Sequence, residues 1–274
     1  MKPPAAVLQQ HRLSNPTHIA ETTIAHIWKV TRTRGEHAAL KIYKDGDAKG
    51  EDIGFRLTKA LDGTGTAKTY HFAKDTAVME WLDGPPLGDL SRAGQDDDAA
   101  QKLIRVADQI HSVPTDIALT PLVDHFKPLL GLRINPSWPR QTQHNIGYTQ
   151  QLAQQLVGNQ QNIRCLHGDL HHDNIKHSAR GCLAYDAKGL IGDRGYELAN
   201  AFQNPLGADD LATDPARAGN LAETWAGHWN MRPKRLLSWA AAHCGLSMTW
   251  GQNFSQALHM QILDMLRTLA QADD

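Results

Sequence analysis

Residues 166–174 of the chain read LHGDLHHDN, and residues 185–186 read YD. Asp169 is followed five residues later by Asn174, and Asp186 stands twelve residues beyond that. Apolar runs flank this motif on both sides, which predicts a strand-loop-strand hairpin over residues 163–187. The motif decides the fold prediction. One carboxylate with two further oxygen ligands is what phosphoryl transfer from a nucleotide requires, and the protein-kinase catalytic loop uses the same spacing.

Each of the three polar residues has a predicted role. We predict that Asp169 is the catalytic base, which orients an attacking hydroxyl and accepts its proton late in the reaction. Asn174 and Asp186 are the predicted metal ligands, because Mg²⁺ prefers hard oxygen donors and takes only one or two of them from protein. The alternative for Asp169 is a loop aspartate that caps a turn.

The histidines of the motif allow a different reading. Together with Asp169, His167, His171 and His172 could form a transition-metal site. Residues 169–174 lack the regular spacing of histidine ligands on a helix, and no partner cluster lies elsewhere in the sequence. We therefore predict that His167 makes structural hydrogen bonds within the loop. Whether His171 and His172 face the cleft or the solvent stays open.

Composition limits the class of partner. The 274 residues are 41% hydrophobic and 21% charged, with a formal net charge of −1. Such a chain has no overall basic field, so we expect no nucleic-acid partner and no anionic membrane partner. Residues 96–274 are mildly acidic. That balance fits a small-molecule substrate, polar or cationic, with a free hydroxyl.

Cysteine content and hydropathy bear on the compartment. The chain has three cysteines, Cys165, Cys182 and Cys244, an odd and sparse set without the paired spacing of a zinc site. The first residues begin no long apolar run, and no window is long and apolar enough to span a bilayer. We expect a cytoplasmic protein without a signal peptide.

Periodicity divides the chain into two lobes. Residues 1–83 predict an N-lobe with a small antiparallel sheet and one helix. After a lead-in helix or arm over residues 1–16, strands are predicted at 22–30, 38–43, 67–72 and 76–81, within a sheet of five, and a helix at 49–61. Residues 62–65, DGTG, end that helix. The N-lobe holds the predicted nucleotide site.

Residues 84–274 predict a mostly helical C-lobe that carries the catalytic hairpin. Helices are expected at 96–112, 148–158, 194–204, 215–229 and 234–270, with a loop or several short helices at 113–140. Asp193 is expected to cap the helix that follows it, with a positioning role near the cleft left open. The fold class is therefore α+β, a bilobal protein-kinase-like fold.

A lysine is the main sequence signal for the nucleotide-binding side of the predicted cleft. Lys41 lies within the apolar strand 38–43, where it is either a surface residue or reaches the phosphates of the nucleotide. Glu51, at the start of the next helix, is the predicted carboxylate partner, with Asp52 and Glu36 as competitors. We expect this lysine and Glu51 to belong to the cofactor-binding set.

The adenine and phosphate contacts carry weaker signals. Residues 79–84, MEWLDG, end the N-lobe, and the backbone of Glu80 and Leu82 is predicted to meet the adenine of ATP. A Gly-rich phosphate loop is missing from the sequence between the first strands, where residues 22–26 read TTIAH. Backbone amides and threonine hydroxyls of that turn could cover phosphate instead.

Taken together, these residues resemble the aminoglycoside phosphotransferases, most closely the streptomycin 6-kinase and hydroxyurea-resistance kinase branch. The resemblance spans roughly residues 17–250. It is carried by HGDLHHDN at 167–174, YDAKG at 185–189, GD at 192–193, LK at 40–41, Glu51 with GFRL at 54–57, DGTG at 62–65, MEWLDG at 79–84 and LSWAAAH at 237–243. It implies a protein-kinase-like fold, ATP and Mg²⁺, with Asp169 as base, Asn174 and Asp186 on the metal and Lys41 on phosphate. Arg194, where relatives usually carry proline, and Tyr185, where an aliphatic residue is common, depart from the pattern.

The predicted activity is ATP-dependent O-phosphorylation of a small molecule, most simply an aminoglycoside of the streptomycin type. Alternatives are a kinase of fructosamine, choline or an amino sugar, and a kinase-like protein that holds nucleotide without turnover. A protein kinase is disfavoured, because a helix is predicted within about ten residues of Asp186, which leaves little room for a long activation segment.

Overall fold

The computed structural model describes residues 2–48, 50–114, 116–250 and 257–272. Within them the strands are β1 (Leu13–Glu21), β2 (Ala25–Arg32), β3 (His37–Tyr43), β4 (Thr69–Phe72), β5 (Thr76–Glu80), β6 (Thr120–Pro121), β7 (Ile163–Leu166), β8 (Ile175–Ser178), β9 (Gly181–Ala184) and β10 (Leu190–Asp193). The helices are α1 (Ala5–Gln10), α2 (Asp52–Leu61), α3 (Gly88–Arg92), α4 (Asp96–His111), α5 (Leu122–His125), α6 (Lys127–Leu130), α7 (Arg140–Gly158), α8 (Asp209–Ala212), α9 (Pro215–Trp229), α10 (Pro233–Trp250) and α11 (Ala257–Gln271). Two 3-10 segments cover His172–Asn174 and Arg194–Gln203.

The N-terminal part is a five-stranded antiparallel sheet in the order β1-β2-β3-β5-β4, with α2 between β3 and β4. The predicted five strands and one helix are thus confirmed. The prediction for residues 1–16 was wrong in part, because β1 already begins at Leu13. The predicted strand 22–30 was also too long, since Thr22 N–H donates to Ala25 O at 2.8 Å and closes a turn before β2.

Strand β3 shows how the sheet divides core from cleft. Successive side chains of a strand point to opposite faces. Ala38 and Leu40 pack into an apolar cluster with Trp28, whereas Ala39 and Lys41 line a cavity on the other face. The lysine that looked anomalous in an apolar strand therefore lies on the cavity face of the sheet.

Helix α2 runs beside this cavity. Its predicted stop is confirmed, because Asp62 adopts a left-handed conformation with φ of 44° and donates its N–H to Lys59 O at 3.3 Å. The predicted first residue, Lys49, lies outside the described residues, and the helix itself starts at Asp52.

The predicted hairpin over residues 163–187 was wrong in its connectivity. Strand β7 pairs antiparallel with β10, in a three-stranded sheet ordered β6-β10-β7, while β8 pairs with β9 in a separate ribbon. The loop 167–174 folds back between the two and separates β7 from β8. Backbone bonds Ala67 N–H to Ala184 O at 2.8 Å and Ala184 N–H to Gly65 O at 2.9 Å tie the ribbon to the N-terminal part.

The rest of the chain is helical, as predicted. Helix α9 has the predicted bounds, α4 ends one residue early, and α7 starts eight residues before its predicted start. The long helix predicted at 234–270 is α10 and α11, and residues 251–256 between them lie outside the described residues. Short helices α3 and α8 escaped prediction. Among the described helices, none is apolar over enough residues to cross a bilayer.

Candidate active site

The loop that carries the motif is held by its own histidine. His167 is fully buried, its Nε2 lies 3.0 Å from Tyr185 O, and its Nδ1 accepts a bond from Asp169 N–H at 3.3 Å. Because Nδ1 accepts, Nε2 carries the proton and donates to the carbonyl. The predicted structural role of His167 is thereby confirmed. The ring joins the loop before Asp169 to the backbone next to Asp186.

A buried carboxylate anchors the start of the same loop. Glu197 accepts backbone bonds from His167 N–H at 2.8 Å and Gly168 N–H at 3.0 Å, and a bond from His111 Nε2 at 3.0 Å. Burial alone raises the pKa of Glu197, but these donors outweigh it and leave the pKa below its ordinary value. Gly168 has φ of +80°, and a Cβ there would meet Leu190 Cγ at 2.6 Å. The turn therefore requires glycine.

Arg194, which departs from the family pattern, supports this anchor. Its Nε donates to His111 Nδ1 at 3.3 Å, and its guanidinium also pairs with Asp108. Since Nδ1 of His111 accepts this bond, Nε2 carries the proton and donates the hydrogen bond to Glu197. Nearby, Asp193 caps the 3-10 segment through Gly195 N–H at 2.8 Å, as predicted.

Asp169 has one carboxylate oxygen engaged. Its Oδ1 accepts a bond from Asn200 Nδ2 at 2.7 Å, and Lys188 Nζ lies 3.8 Å from its Oδ2. Burial raises the pKa of Asp169, but interactions with His171 and Lys188 lower it more, so the net shift is downward. The side chain is therefore ionised near neutral pH, with Oδ2 as the oxygen left for a substrate hydroxyl.

Asn174 and Asp186 stand at the same end of the β8–β9 ribbon, because Ile175 pairs with Ala184. Asn174 Nδ2 donates to Asp169 O at 3.0 Å, so its amide oxygen is the atom left for a ligand. Asp186 adopts a left-handed conformation with φ of 65°, and its side chain is 48% exposed. An amide oxygen and a carboxylate fit Mg²⁺, which completes its shell with phosphate and water.

The remaining motif histidines are both buried. His171 Nδ1 accepts a bond from Asp173 N–H at 3.3 Å, while His172 is fully buried and its pKa is lowered by burial to about 3. Asp173 itself pairs with Arg92 at 2.8 Å. The described residues contain no group of three or more histidine, cysteine, aspartate or glutamate side chains that could hold a metal ion.

Lys41 is paired as expected from the sequence. Its Nζ lies 2.5 Å from Glu51 Oε2 and 3.8 Å from Asp186 Oδ1. Tyr43, which sequence reasoning missed, also donates to Glu51 Oε2 at 2.6 Å. The competing carboxylates are engaged elsewhere: Asp52 pairs with Arg56 and Glu36 pairs with Arg32.

A cavity of about 280 Å³ lies between the β8–β9 ribbon and the face of the sheet that carries Ala39 and Lys41. Its walls are apolar at Ala39, Ala67, Met79 and Leu82, and Lys41, Glu51 and Asp186 stand at its charged end. Small-molecule sites commonly combine apolar walls with a few convergent polar groups. Asp169 and Asn174 do not line it, so the predicted site residues span this cavity and the loop beside it.

Glu80 lines the cavity, where its backbone is predicted to meet adenine. Its N–H donates to Lys68 O at 2.8 Å, and its carboxylate accepts bonds from Lys68 N–H and Arg180. The predicted backbone contact of Glu80 therefore rests on its carbonyl. Thr22 also lines the cavity, yet its hydroxyl donates to Ala25 O at 3.1 Å, so it is not free to cover phosphate.

Sequence reasoning missed several residues of the site. Lys188 could have been found from the sequence, since it lies inside the YDAKG stretch, two residues after Asp186. Asn200 carries no such signal. It is 31 residues from Asp169 in sequence, and the 3-10 segment Arg194–Gln203 brings it next to Asp169 only in the folded chain. Arg180 and Glu197 likewise meet their partners only in the folded chain.

Comparison with known proteins identifies the family of the chain. A model of the aminoglycoside/hydroxyurea antibiotic resistance kinase family matches residues 10–254. The chain is 34% identical over 224 residues to streptomycin 3''-kinase of Klebsiella pneumoniae, covering 78% of this chain and 79% of that protein.

Solved structures share the fold at low identity. Aminoglycoside phosphotransferase APH(4)-Ia, in a ternary complex with AMP-PNP and hygromycin B, superposes with a TM-score of 0.69 at 13% identity, covering 97% of this chain and 98% of that one. A choline/ethanolamine kinase family protein from Mesorhizobium loti gives 0.66 at 10% identity, covering 94% and 89%. These similarities confirm the predicted α+β kinase fold. The family match and the shared fold together make this chain a member of the aminoglycoside/hydroxyurea antibiotic resistance kinase family.

Proposed function

We propose that this chain transfers the γ-phosphoryl group of ATP to a hydroxyl of an aminoglycoside, most specifically streptomycin. The observation that carries the proposal is the state of Asp169. One of its carboxylate oxygens is fixed by Asn200 and the other remains for a hydroxyl, beside the ribbon end that bears Asn174 and Asp186. The choice of streptomycin rests on the 34% identity to a streptomycin kinase.

Asp169 would act through its Oδ2. The acceptor hydroxyl has a pKa far above that of the carboxylate, so the base mainly orients it and takes its proton late. Asn200 fixes the carboxylate plane by its 2.7 Å bond, and His167 holds the backbone before it. Such positioning supplies the near-attack geometry on which phosphoryl transfer depends.

Asn174 and Asp186 would hold Mg²⁺, which supplies charge neutralisation to the phosphates when bound. Lys41 would reach the phosphates from β3, held in place by Glu51 at 2.5 Å. The apolar wall at Ala39, Met79 and Leu82 suits a purine ring. Glu80 and Leu82, which both line the cavity, remain the proposed backbone contacts to adenine, Glu80 through its carbonyl.

The test is product formation. Purified protein, Mg·ATP and streptomycin should yield streptomycin with one added phosphoryl group, detected by mass spectrometry. Correlation of phosphorus with proton signals in NMR then assigns the modified hydroxyl, with the 3'' position and the 6 position as the two candidates.

The matched control is Asp169→Asn, which preserves the size of the side chain and the bond to Asn200. It should cut kcat by about 10²- to 10⁴-fold. If streptomycin stays unmodified while choline, fructosamine or an amino sugar is phosphorylated, the substrate assignment is wrong. If calorimetry shows nucleotide binding but no acceptor in such a panel is phosphorylated, the alternative of a kinase-like protein that holds nucleotide without turnover is favoured.

A further inference from the structure

The position of the transferred phosphoryl group follows from Asp169, given the proposed function. Oδ1 is bonded to Asn200, so the acceptor hydroxyl must approach Oδ2. A hydrogen-bonded hydroxyl oxygen lies about 3 Å from its base, and the phosphorus about 3 to 3.5 Å further on. The phosphorus therefore reacts within roughly 6.5 Å of Oδ2.

Lys188 brings a cation to this position. Its Nζ lies 3.8 Å from Asp169 Oδ2, beyond hydrogen-bond length, and its side chain is 48% exposed. Its backbone is fixed, because its N–H donates to His167 O at 2.7 Å. The half-exposed ammonium therefore extends from an anchored backbone position. A half-exposed ion pair at this distance is weak, so a phosphate oxygen can compete with Asp169 for it.

The second lysine of the cleft is differently placed. Lys41 has Glu51 at 2.5 Å and Asp186 at 3.8 Å, so two carboxylates already balance its charge. It also approaches from β3, on the nucleotide side. Lys188 stands on the side of the base, two residues beyond Asp186. Lys41 is therefore the cation beside the proposed metal ligand Asp186, and Lys188 is the cation beside the proposed base Asp169.

We propose that Lys188 is a catalytic residue whose ammonium binds the oxygens of the γ-phosphoryl group as it moves. In that step the acceptor oxygen forms a bond to phosphorus, and the bond to the β–γ bridging oxygen breaks. The hydroxyl proton passes to Asp169 Oδ2, and ADP leaves with the bond electrons. Charge spread over the phosphoryl oxygens is what Lys188 stabilises.

The test compares Lys188→Met with Lys188→Arg. Removing one donor to a developing anion typically costs about 10²- to 10³-fold in kcat, so the methionine variant should lose this much while KM for ATP stays within about twofold. The arginine variant, which keeps the charge, should recover a large part of the rate. Lys127→Met is the matched control, because Lys127 also pairs with a carboxylate, Asp124, and its side chain is 73% exposed on α6.

A second measurement separates the contact of Lys188 with the phosphoryl group from its effect on Asp169. ADP with aluminium fluoride provides a planar anion in place of the moving phosphoryl group. Lys188→Met should weaken binding of ADP–aluminium fluoride with streptomycin at least tenfold and leave Mg·ADP binding unchanged. The inference is overturned if both affinities match wild type, or if raising the pH restores full kcat, because Lys188 would then act only through Asp169.

Failure of the inference is distinguishable from failure of the proposed function. If wild type does not phosphorylate streptomycin, the proposed function fails, and slow hydrolysis of ATP by water still reports on Lys188. A wild-type hydrolysis rate in Lys188→Met then overturns the inference, and a rate at least tenfold lower supports it. If wild type turns streptomycin over and Lys188→Met does so equally fast, only the inference fails.

Discussion

Arg180 and Glu80 form an ion pair, with Arg180 Nη2 at 2.5 Å from Glu80 Oε2, that joins the β8–β9 turn to the last residue of β5. Arg180 also donates to Gly63 O at 2.8 Å and to Thr66 O at 3.4 Å. One guanidinium on the ribbon thus binds three residues of the N-terminal part. It thereby helps to fix the distance between Asp186, beyond the end of β9, and the sheet.

The Arg180 contact should matter more for nucleotide affinity than for stability. Arg180→Ala removes a half-exposed ion pair and bonds to two carbonyls, which together cost about 1 kcal/mol of unfolding free energy. Without Arg180, Glu80 in the cavity wall is no longer bonded to the β8–β9 ribbon, which ends next to Asp186. The KM for ATP should therefore rise several-fold, with kcat nearly unchanged. Arg105→Ala, an exposed arginine on α4, is the control. Steady-state kinetics with an unchanged KM for ATP would contradict this role.

Asp186 and Asp169 should fail in different ways. Asp186→Ala removes a proposed Mg²⁺ ligand, so magnesium-dependent binding of a nucleotide analogue should be lost in calorimetry. Asp169→Asn should bind the same analogue normally and yet turn over slowly. Wild-type binding in Asp186→Ala would show that this carboxylate does not hold the metal.

Glu197 should couple loop stability to pH. Glu197→Gln leaves two buried backbone donors with a poorer acceptor, which should cost about 1 to 3 kcal/mol of unfolding free energy at neutral pH. The folded pKa of Glu197 is lowered, so its contribution is complete above the unfolded value of about 4.3. It is lost as the pH falls through the lower folded pKa. Denaturant titrations should therefore show the difference between wild type and variant shrinking below about pH 4.

The control for that experiment is Glu223→Gln, since Glu223 is exposed on α9. It should unfold as wild type does at every pH. A constant difference between wild type and Glu197→Gln down to about pH 3 would contradict the assigned shift.

His243 should make the protein sensitive to mild acid. Its Nδ1 lies 2.9 Å from Tyr196 OH, and burial lowers its pKa from 6.5 to about 3. Its stabilising contribution is complete above the unfolded pKa and lost as the pH falls from about 6.5 toward 3, because only the unfolded state takes the proton. His243→Gln should therefore lose stability less steeply over this window, by up to about 1.4 kcal/mol per pH unit. His37→Gln, at an exposed residue, should follow wild type, and equal slopes for His243→Gln would refute the shift.

Local patterns were enough for most elements. The apolar run 38–43 predicted β3 with Lys41 inside it, because such runs are typical of strands. The 3.6-residue period predicted α9 with its observed bounds. Short helices such as α3 were missed, since four or five residues are too few to show a period.

Pairing between distant segments could not be predicted in this way. The motif predicted that strands flank Asp169, but not that β7 takes β10 as its partner instead of β8. Glu80 illustrates the same limit at the site. Lys68 and Arg180, 12 and 100 residues away, bind its amide and its carboxylate, and no local pattern predicted either contact.

The sequence by itself determined the chemistry: a carboxylate, an amide and a second carboxylate at fixed spacing, and a lysine in an apolar strand with a glutamate ten residues on. Tertiary structure alone decided which oxygen of Asp169 stays open, that Lys188 stands 3.8 Å from it, and that Glu197 holds the loop. The physical reason is that side-chain type and spacing are written locally along the chain. Orientation instead depends on hydrogen bonds and burial between segments that meet only when the whole chain has folded.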